Sequence, residues 1–388
     1  MVVYTQSEKV KEAHKWALEF HLVNHPLDCP VCDQAGECGL QDYYMQVGKY
    51  KSQMERPKVL KPKTLDVGSE LVLDTERCIL CSRCVRFEEE VTQTNGLGIF
   101  ERGDRAIIGT YDGEQITHEY QENIVDICPV GAFTSKSFRF KQRVWFLKGK
   151  KSICAGCSTG CHIEVQARPE KRTYYRVKPD LSRETDKPWM CDHGRKTITQ
   201  LNPQYRLQYA YIKKDAHLPQ AATSLMQGVL DLKSRLEQTP KNEIALLISS
   251  QYTNEEYHAF LSYFTKLGVR SIYLWREEKE DLEFFDGLLI RGDKNANTSG
   301  LLGSLKQFGI EKKVTNELHD LIKQKPTLVI ALCPEILSTF PSFAKHLEAL
   351  SALPQVSIWG ISQEIADLEA FANVLPLKCF TEKKGTFV

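Results

Sequence analysis

The residues best suited to chemistry are cysteines in three tight groups. The first runs His25-Pro-Leu-Asp-Cys29-Pro-Val-Cys32-Asp-Gln-Ala-Gly-Glu-Cys38, an H-x3-C-x2-C-x5-C spacing. One imidazole and three thiolates suit either a tetrahedral zinc or a [4Fe-4S] cube. Gly36 and Gly39, which let backbone approach closely, and Pro26 and Pro30, which fix its path, serve both readings. The second group places Cys78, Cys81 and Cys84 within one turn-sized stretch and a fourth thiol, Cys128, far downstream before Pro129. Zinc is usually held by C-x2-C pairs, whereas C-x2-C-x2-C with a remote C-P is the bacterial ferredoxin arrangement. A two-cluster ferredoxin would also carry cysteines at 88, 118, 121 and 124; here these are Glu88, His118, Gln121 and Ile124. The spacing therefore predicts one surviving cluster, on Cys78, Cys81, Cys84 and Cys128. The third group, Cys154, Cys157 and Cys161 with Cys191 in WMCDHGR, has another cubane spacing, with zinc as the alternative. Four cysteines complete that set, so His162 and His193 read as supporting or surface residues.

Thirteen cysteines in 388 residues are too few for a disulfide scaffold, and all but Cys333 and Cys379 fall in the first half. No secretory signal opens the chain and no apolar run is long enough to span a bilayer, so a reducing compartment is expected, where such crowding favours metal ligation. Lys and Arg number 51 against 50 Asp and Glu, a net charge of +1, which advertises neither nucleic acid nor an anionic membrane. The sequence has no G-x-G-x-x-G after a strand and no G-x4-G-K, so hydride or nucleotide chemistry belongs to another chain. Arg83, Arg86, Arg139 and Arg143 lie near ligand segments; they either favour reduced clusters or are solvated cations.

These donors need elements to hold them. Thr5 and Glu8, in capping-box spacing, predict an opening helix with Val10, Ala13, Ala17 and Phe20 on one face. Residues 25 to 200 are turn-rich, with strands expected at Ile163 to Val165 and Thr173 to Val177. Beyond Pro203, apolar runs at Ile244 to Ile248, Ile272 to Trp275, Leu288 to Ile290, Leu328 to Leu332 and Val356 to Ile361 read as buried strands. Thr253 to Leu267 reads as a helix with a capping box and Gly268 at its C-cap. Alternation of strand and helix implies a doubly wound, mainly parallel sheet. Arg291 to Gly303 reads as a connecting loop, Cys333 and Cys379 as core thiols, and His258 and His346 as helix residues without ligand duty.

The motifs HPLDCPVCDQAGECGLQD, CILCSRCVRF, CPVGAFTSKSFRF and CAGCSTGC to CDHGR closely resemble the large iron-sulfur subunit of NADH:quinone oxidoreductase, respiratory complex I. DGLLIRGDKNANTSG, at 286 to 300, resembles that subunit's C-terminal domain, which is related to molybdopterin oxidoreductases. The resemblance implies α+β iron-sulfur domains followed by an α/β domain with a mainly parallel sheet, molybdopterin-oxidoreductase-like. It divides the chain into 1–65 (the His25 set), 66–147 (ferredoxin-like), 148–200 (small and β-rich) and 201–388 (α/β, without molybdenum cofactor).

By that resemblance each set carries a [4Fe-4S] cluster, three in all, with no flavin, NAD or molybdopterin on this chain. The chain would relay single electrons from the NADH/flavin module toward quinone, the third cluster lying off the path, and no catalytic residue is expected. Implied partners are other peripheral-arm subunits, including the flavin/NADH-binding subunit and a downstream iron-sulfur subunit, and no nucleic acid. The implied place is peripheral, on the cytoplasmic face of the inner membrane. Members carry a plant-type [2Fe-2S] domain ahead of HPLDC and continue past KKGTFV. Neither is expected in this sequence, which lacks any C-x4-C-x2-C, so a [2Fe-2S] domain would come from another chain or be missing. A molybdopterin-dependent formate dehydrogenase would need further cofactor loops and normally a cysteine, selenocysteine or serine ligand to the metal, and after Cys191 no candidate cysteine precedes Cys333; a hydrogenase-type chain would need its own catalytic cluster cysteines. A zinc-stabilised interaction module is the non-redox rival.

Overall fold

Ser7, in extended conformation, accepts a hydrogen bond from the Val10 amide and starts helix α1 (Glu8–Leu22). The cap is thus Ser7 rather than Thr5, and the helix is turned so that Leu18 is its buried residue while Phe20 is 78% exposed. The apolar face expected from Val10, Ala13, Ala17 and Phe20 is not the buried one. Lys58 closes the other end by donating to the carbonyls of Leu22 and Val23, delivering the chain to His25. The structure, a computed structural model, describes residues 2–49, 51, 54–182, 188–198, 201–213, 219–276, 281–312, 317–333, 345, 349–353, 356–362 and 371–388. His346 lies outside the described residues.

Two units are distinguished, Met1–Gly149 with Gln166–Pro169 and Lys187–Asp192, and Lys150–Val165 with Glu170–Asp186 and His193–Val388. In the first, α1 is followed by α2 (Gly39–Val47) and a three-stranded antiparallel sheet of β1 (Leu65–Asp66), β2 (Leu71–Leu73) and, after the elements below, β5 (Phe133–Ser135). Between them come α3 (Arg83–Phe87), the hairpin of β3 (Gly98–Phe100) and β4 (Ile107–Gly109), and α4 (Glu122–Ile127). These short elements match the turn-rich texture of the sequence.

The second unit begins around a three-stranded sheet, β6 (Lys148–Ile153), β7 (His162–Arg168) and β8 (Thr173–Pro179), through whose ends the division between units passes. After α5 (Asp192–Lys196), strands β9 (Ala210–Ile212), β10 (Ala221–Thr223), β11 (Ile244–Ser249), β12 (Ser271–Trp275), β13 (Leu328–Leu332), β14 (Ser357–Ser362) and β15 (Asn373–Pro376) form one sheet. Its order is β10-β9-β15-β14-β13-β11-β12, parallel from β15 to β12 with antiparallel β9 and β10 at one edge. Helices α6 (Leu225–Gln238), α7 (Asn254–Lys266), α8 (Thr298–Gln307) and α9 (Leu318–Gln324) intervene. Alternate strand residues face opposite cores: Leu246, Ile248 and Ile330 join Tyr257, Leu261 and Leu301, whereas Ala245, Leu247 and Val329 join Leu318 and Leu321. Helix α7 has the expected capping box between Thr253 and Glu256, and Gly268 takes φ +89° just past its end.

Leu288 to Ile290 is not a strand. The Asp286 carboxylate accepts from the amides of Leu288, Leu289 and Ile290, and this local side-chain bonding competes with any ladder. Among the described residues no helix is long and apolar enough to cross a membrane.

Candidate metal centres

The first set lies on the link between α1 and α2. His25, Cys29, Cys32 and Cys38 all line one small pocket, together with Asp28, Gln41, Arg77 and Gly131. The sequence builds it with tight turns: Cys32 donates its amide to Cys29, and Ala35 to Cys32. Gly36 stands at φ +89°, where a Cβ would lie 2.8 Å from Val144 and 3.0 Å from Trp145, so only glycine fits. A Cβ at Gly39, by contrast, would meet nothing within 4 Å, so that glycine is not demanded by close approach. Arg143 donates to the carbonyls of Pro30 and Cys32, and both Asp33 oxygens accept from the Phe140 amide, so residues 140–145 brace the loop.

His25 carries a buried Nδ1 with no hydrogen-bond partner among the described residues. Burial, helped by the charges of Lys58 and Arg77, lowers its pKa to about 4, so the ring is neutral and its lone pair available. Burial raises the pKa of the Cys32 and Cys38 thiols. An orphaned ring nitrogen on a residue that shares its pocket with three soft donors fits a metal group, and loading it would release the thiol protons.

The second set converges likewise. Cys78, Cys81, Cys84 and Cys128 line one small pocket with Ile79, Ile108, Val130 and Phe133. Leu80 and Ser82 both adopt positive φ, 55° and 58°, an uncommon turn that brings the Leu80 amide 3.3 Å from Cys78 Sγ. Cys84 sits on α3, and Cys128 ends α4. Burial, reinforced by the neighbouring thiols, raises the Cys84 pKa to about 12, and burial raises that of Cys128 to about 11. None of Cys29, Cys32, Cys38, Cys78, Cys81, Cys84 and Cys128 is disulfide-bonded. Among the described residues no three His, Cys, Asp or Glu side chains meet closely enough to hold a single ion; the donors of these first two sets ring a hollow instead.

The two hollows share walls. Arg77 lines the first and Cys78 the second; Gly131 lines the first, while Cys128, Val130 and Ala132 line the second. A Cβ on Gly131 would lie 2.2 Å from Cys32 Sγ, so the C-P-V-G-A segment runs against both donor sets.

The positions of the missing ferredoxin cysteines are filled by a polar network. Glu88, fully buried, accepts from Thr94, from the Gly96 amide at 3.1 Å and from His118 Nε2 at 2.7 Å. The Tyr120 amide donates to His118 Nδ1, which fixes the proton on Nε2. These bonds hold the Glu88 carboxyl below its usual pKa against the opposing effect of burial. Gln121 donates to Ser69 and to the His118 carbonyl, and Ile124 is buried. His118→Ala should destabilise the protein by about 1–3 kcal/mol by stranding a buried carboxylate oxygen. Denaturant unfolding of the metal-free chain would check it, an unchanged midpoint contradicting it.

In the third set, Cys154, Cys157 and Cys161 occupy the loop between β6 and β7, closed by the Cys154 amide on the Cys161 carbonyl at 2.9 Å. The 286–300 stretch, read from sequence as a strand at Leu288 to Ile290 and a connecting loop from Arg291, holds it: the Asp293 carbonyl accepts from the Ser158 amide at 3.0 Å, and the Leu289 carbonyl accepts from Thr159. The His193 ring lies 3.4 Å from the Cβ position of Gly156. Cys191 is buried in the first unit, between two anchored residues. The Asn123 side-chain amide donates to the Met190 carbonyl and accepts from the Met190 amide, and Asp192 accepts from the amides of Gln121 and Glu122 at 2.7 and 2.9 Å, capping α4. Sequence reasoning missed this clamp, although an Asp directly after a ligand cysteine was its one visible signal. Cys333 is buried at the end of β13 and Cys379 is fully buried beside Thr381. Of the four arginines near ligand segments, Arg143 braces the first loop, while Arg83 and Arg86 are exposed.

Three regions match known families: residues 15–53 the NADH-ubiquinone oxidoreductase-G iron-sulfur binding region, 68–134 the NADH-quinone oxidoreductase subunit 3 ferredoxin-like domain, and 147–203 the molybdopterin oxidoreductase Fe4S4 domain. The chain is similar to the G-type subunit of NADH-quinone oxidoreductase from Rickettsia felis, 33% identical over 269 residues, 69% of this chain and 39% of that protein. For the Rickettsia typhi protein of the same name the figures are 30% over 350 residues, 83% and 51%. The mitochondrial NADH dehydrogenase [ubiquinone] iron-sulfur protein 1 of Solanum tuberosum is 42% identical over 199 residues, 50% of this chain and 26% of that protein. The chain thus spans about half or less of these relatives. Iron-sulfur binding regions, a ferredoxin-like domain and a mixed sheet with parallel strands occur together, and over the regions matched the chain is a homologue of the G-type subunits of NADH-quinone oxidoreductase.

Proposed function

We propose that the chain relays single electrons through [4Fe-4S] clusters as part of an NADH:quinone oxidoreductase. The observation that carries this reading is the shared wall: Arg77–Cys78 and Cys128–Ala132 each line both hollows, so redox groups in them would be separated by little more than one strand of backbone. A cube held by such donors moves one electron at a time and needs no acid, base or nucleophile. The residues' own task is to bind, orient and exclude water: Cys84 and Cys128 supply buried thiolates, His25 a neutral imidazole, and Ile108, Val130 and Phe133 a dry wall.

In this reading there are three clusters, on His25, Cys29, Cys32 and Cys38; on Cys78, Cys81, Cys84 and Cys128; and on Cys154, Cys157, Cys161 and Cys191. The parts 1–65, 66–147, 148–200 and 201–388 act as three cluster-bearing domains and a docking body without molybdenum cofactor. Supporting that last role, the crevice where the parallel sheet changes direction, beyond β11, is filled by the chain itself. Thr386 exchanges bonds with Asn254 and Glu255, the Val388 amide donates to Asn297, and Lys383 pairs with Glu256. Flavin and nicotinamide reside on a partner, a further iron-sulfur subunit accepts the electrons, and the assembly is peripheral on the cytoplasmic face of the inner membrane.

The test is EPR of the dithionite-reduced whole chain. Two centres so close should broaden each other's signals, and Cys84→Ala should sharpen what remains; two sharp, independent cubane signals in the unaltered chain would contradict the relay.

A further inference from the structure

Arg77 is a guanidinium only 6% exposed in a chain whose other arginines are mostly at the surface or half-buried. It precedes Cys78 but turns away from that cysteine's hollow to line the one around His25. Its Nε and Nη2 donate to Asp28 Oδ2 at 3.0 and 2.9 Å, and its Nε lies 3.3 Å from Asp74 Oδ2. Asp28 is the residue before Cys29, so the guanidinium grips the turn that presents that thiol. Its Cδ is 3.8 Å from the Cβ position of Gly131, against the shared wall. Lys63 completes the group, meeting Asp28, Asp74 and Glu76 at 2.9, 3.9 and 2.8 Å.

Arg77 and Lys63 bring two positive charges, Asp28, Asp74 and Glu76 three negative ones. The cluster of side chains is thus one charge negative with Arg77 and two negative without it. Lys63 is the more exposed cation, 38% against 7% for the Arg77 side chain, so solvent screens it more. Arg77 shares the lining of the hollow with His25, Cys29, Cys32 and Cys38, so its charge stands beside the donors.

We propose that Arg77 is a positioning residue of the His25 centre that also favours its reduction, by fixing Asp28 behind Cys29 and keeping a buried positive charge beside His25 and Cys32. This rests on the electron-relay reading. Reduction there adds one electron, delivered by dithionite in the test and by the neighbouring centre in the relay; no bond forms or breaks and no proton moves. A fixed cation stabilises the added negative charge, and a buried one does so with little screening.

Redox-poised EPR on the anaerobically purified whole chain tests it. In Arg77→Gln the His25 centre should become harder to reduce, its reduced-to-oxidised ratio at the wild-type midpoint falling about tenfold, as the loss of a unit charge at close range implies. The Cys78 centre should move less. Arg77→Lys should recover most of the shift, and Asp74→Asn, which removes a negative charge, should move the midpoint the other way. An Arg77→Gln chain with full iron and an unmoved midpoint, or equal shifts at both centres, would overturn the proposal. Should that variant fail to hold iron, Asp74→Asn decides, an unmoved midpoint there overturning it. Wild-type protein that binds no iron would overturn the relay reading itself, and this inference with it.

Discussion

Cys84→Ala is expected to remove about four irons per chain and to stop electron transfer through it. Cys84 is 7% exposed on α3, faces Cys78, Cys81 and Cys128 across the second hollow, and sits on the helix from which Glu88 reaches back to hold His118. Removing the sulfur opens one corner of the donor ring without disturbing the fold around it, because the Glu88 amide still bonds the Cys84 carbonyl. Iron analysis alongside turnover checks this; full iron content with normal transfer would show that Cys84 is a core thiol and no ligand.

Gly131→Ala is expected to cost about four irons at the other centre. The added methyl would sit 2.2 Å from Cys32 Sγ and 3.2 Å from Gln34 Cβ, far inside contact distance, in a segment buried between two donor sets. Neither neighbour is the free end of a long side chain, so the sulfur must leave its place. EPR should show the His25 centre lost and the Cys78 centre retained. Retention of both signals would mean that Cys32 stands away from this wall.

The candidate ligands were legible because their information is local: seven residues of C-x2-C-x2-C, or fourteen of the His25 set, carry most of the geometry in their own turns. The strands of the parallel sheet were legible for a similar reason, each being a short apolar run buried on both faces. What remained hidden depends on distant pairings. Arg77 has no spacing of its own and is distinguished only by Asp28, forty-nine residues earlier, and by its burial. Glu88 and His118 could be named as replacements for cysteines, but not seen to bond each other across thirty residues. Asp293 looked like a turn residue and Leu289 like part of a strand, and both hold the Cys157 to Cys161 loop through backbone groups that leave no mark in sequence. The Leu288 to Ile290 run was misread because Asp286, two residues before it, wins the amides that a strand would have used.

The most direct measurement is metal and acid-labile sulfide analysis of the anaerobically purified chain, paired with EPR after dithionite. Three filled donor sets predict about twelve irons and about twelve sulfides per chain with only cubane signals. Zinc at near-stoichiometric amounts, with colourless protein and no EPR signal, would contradict it.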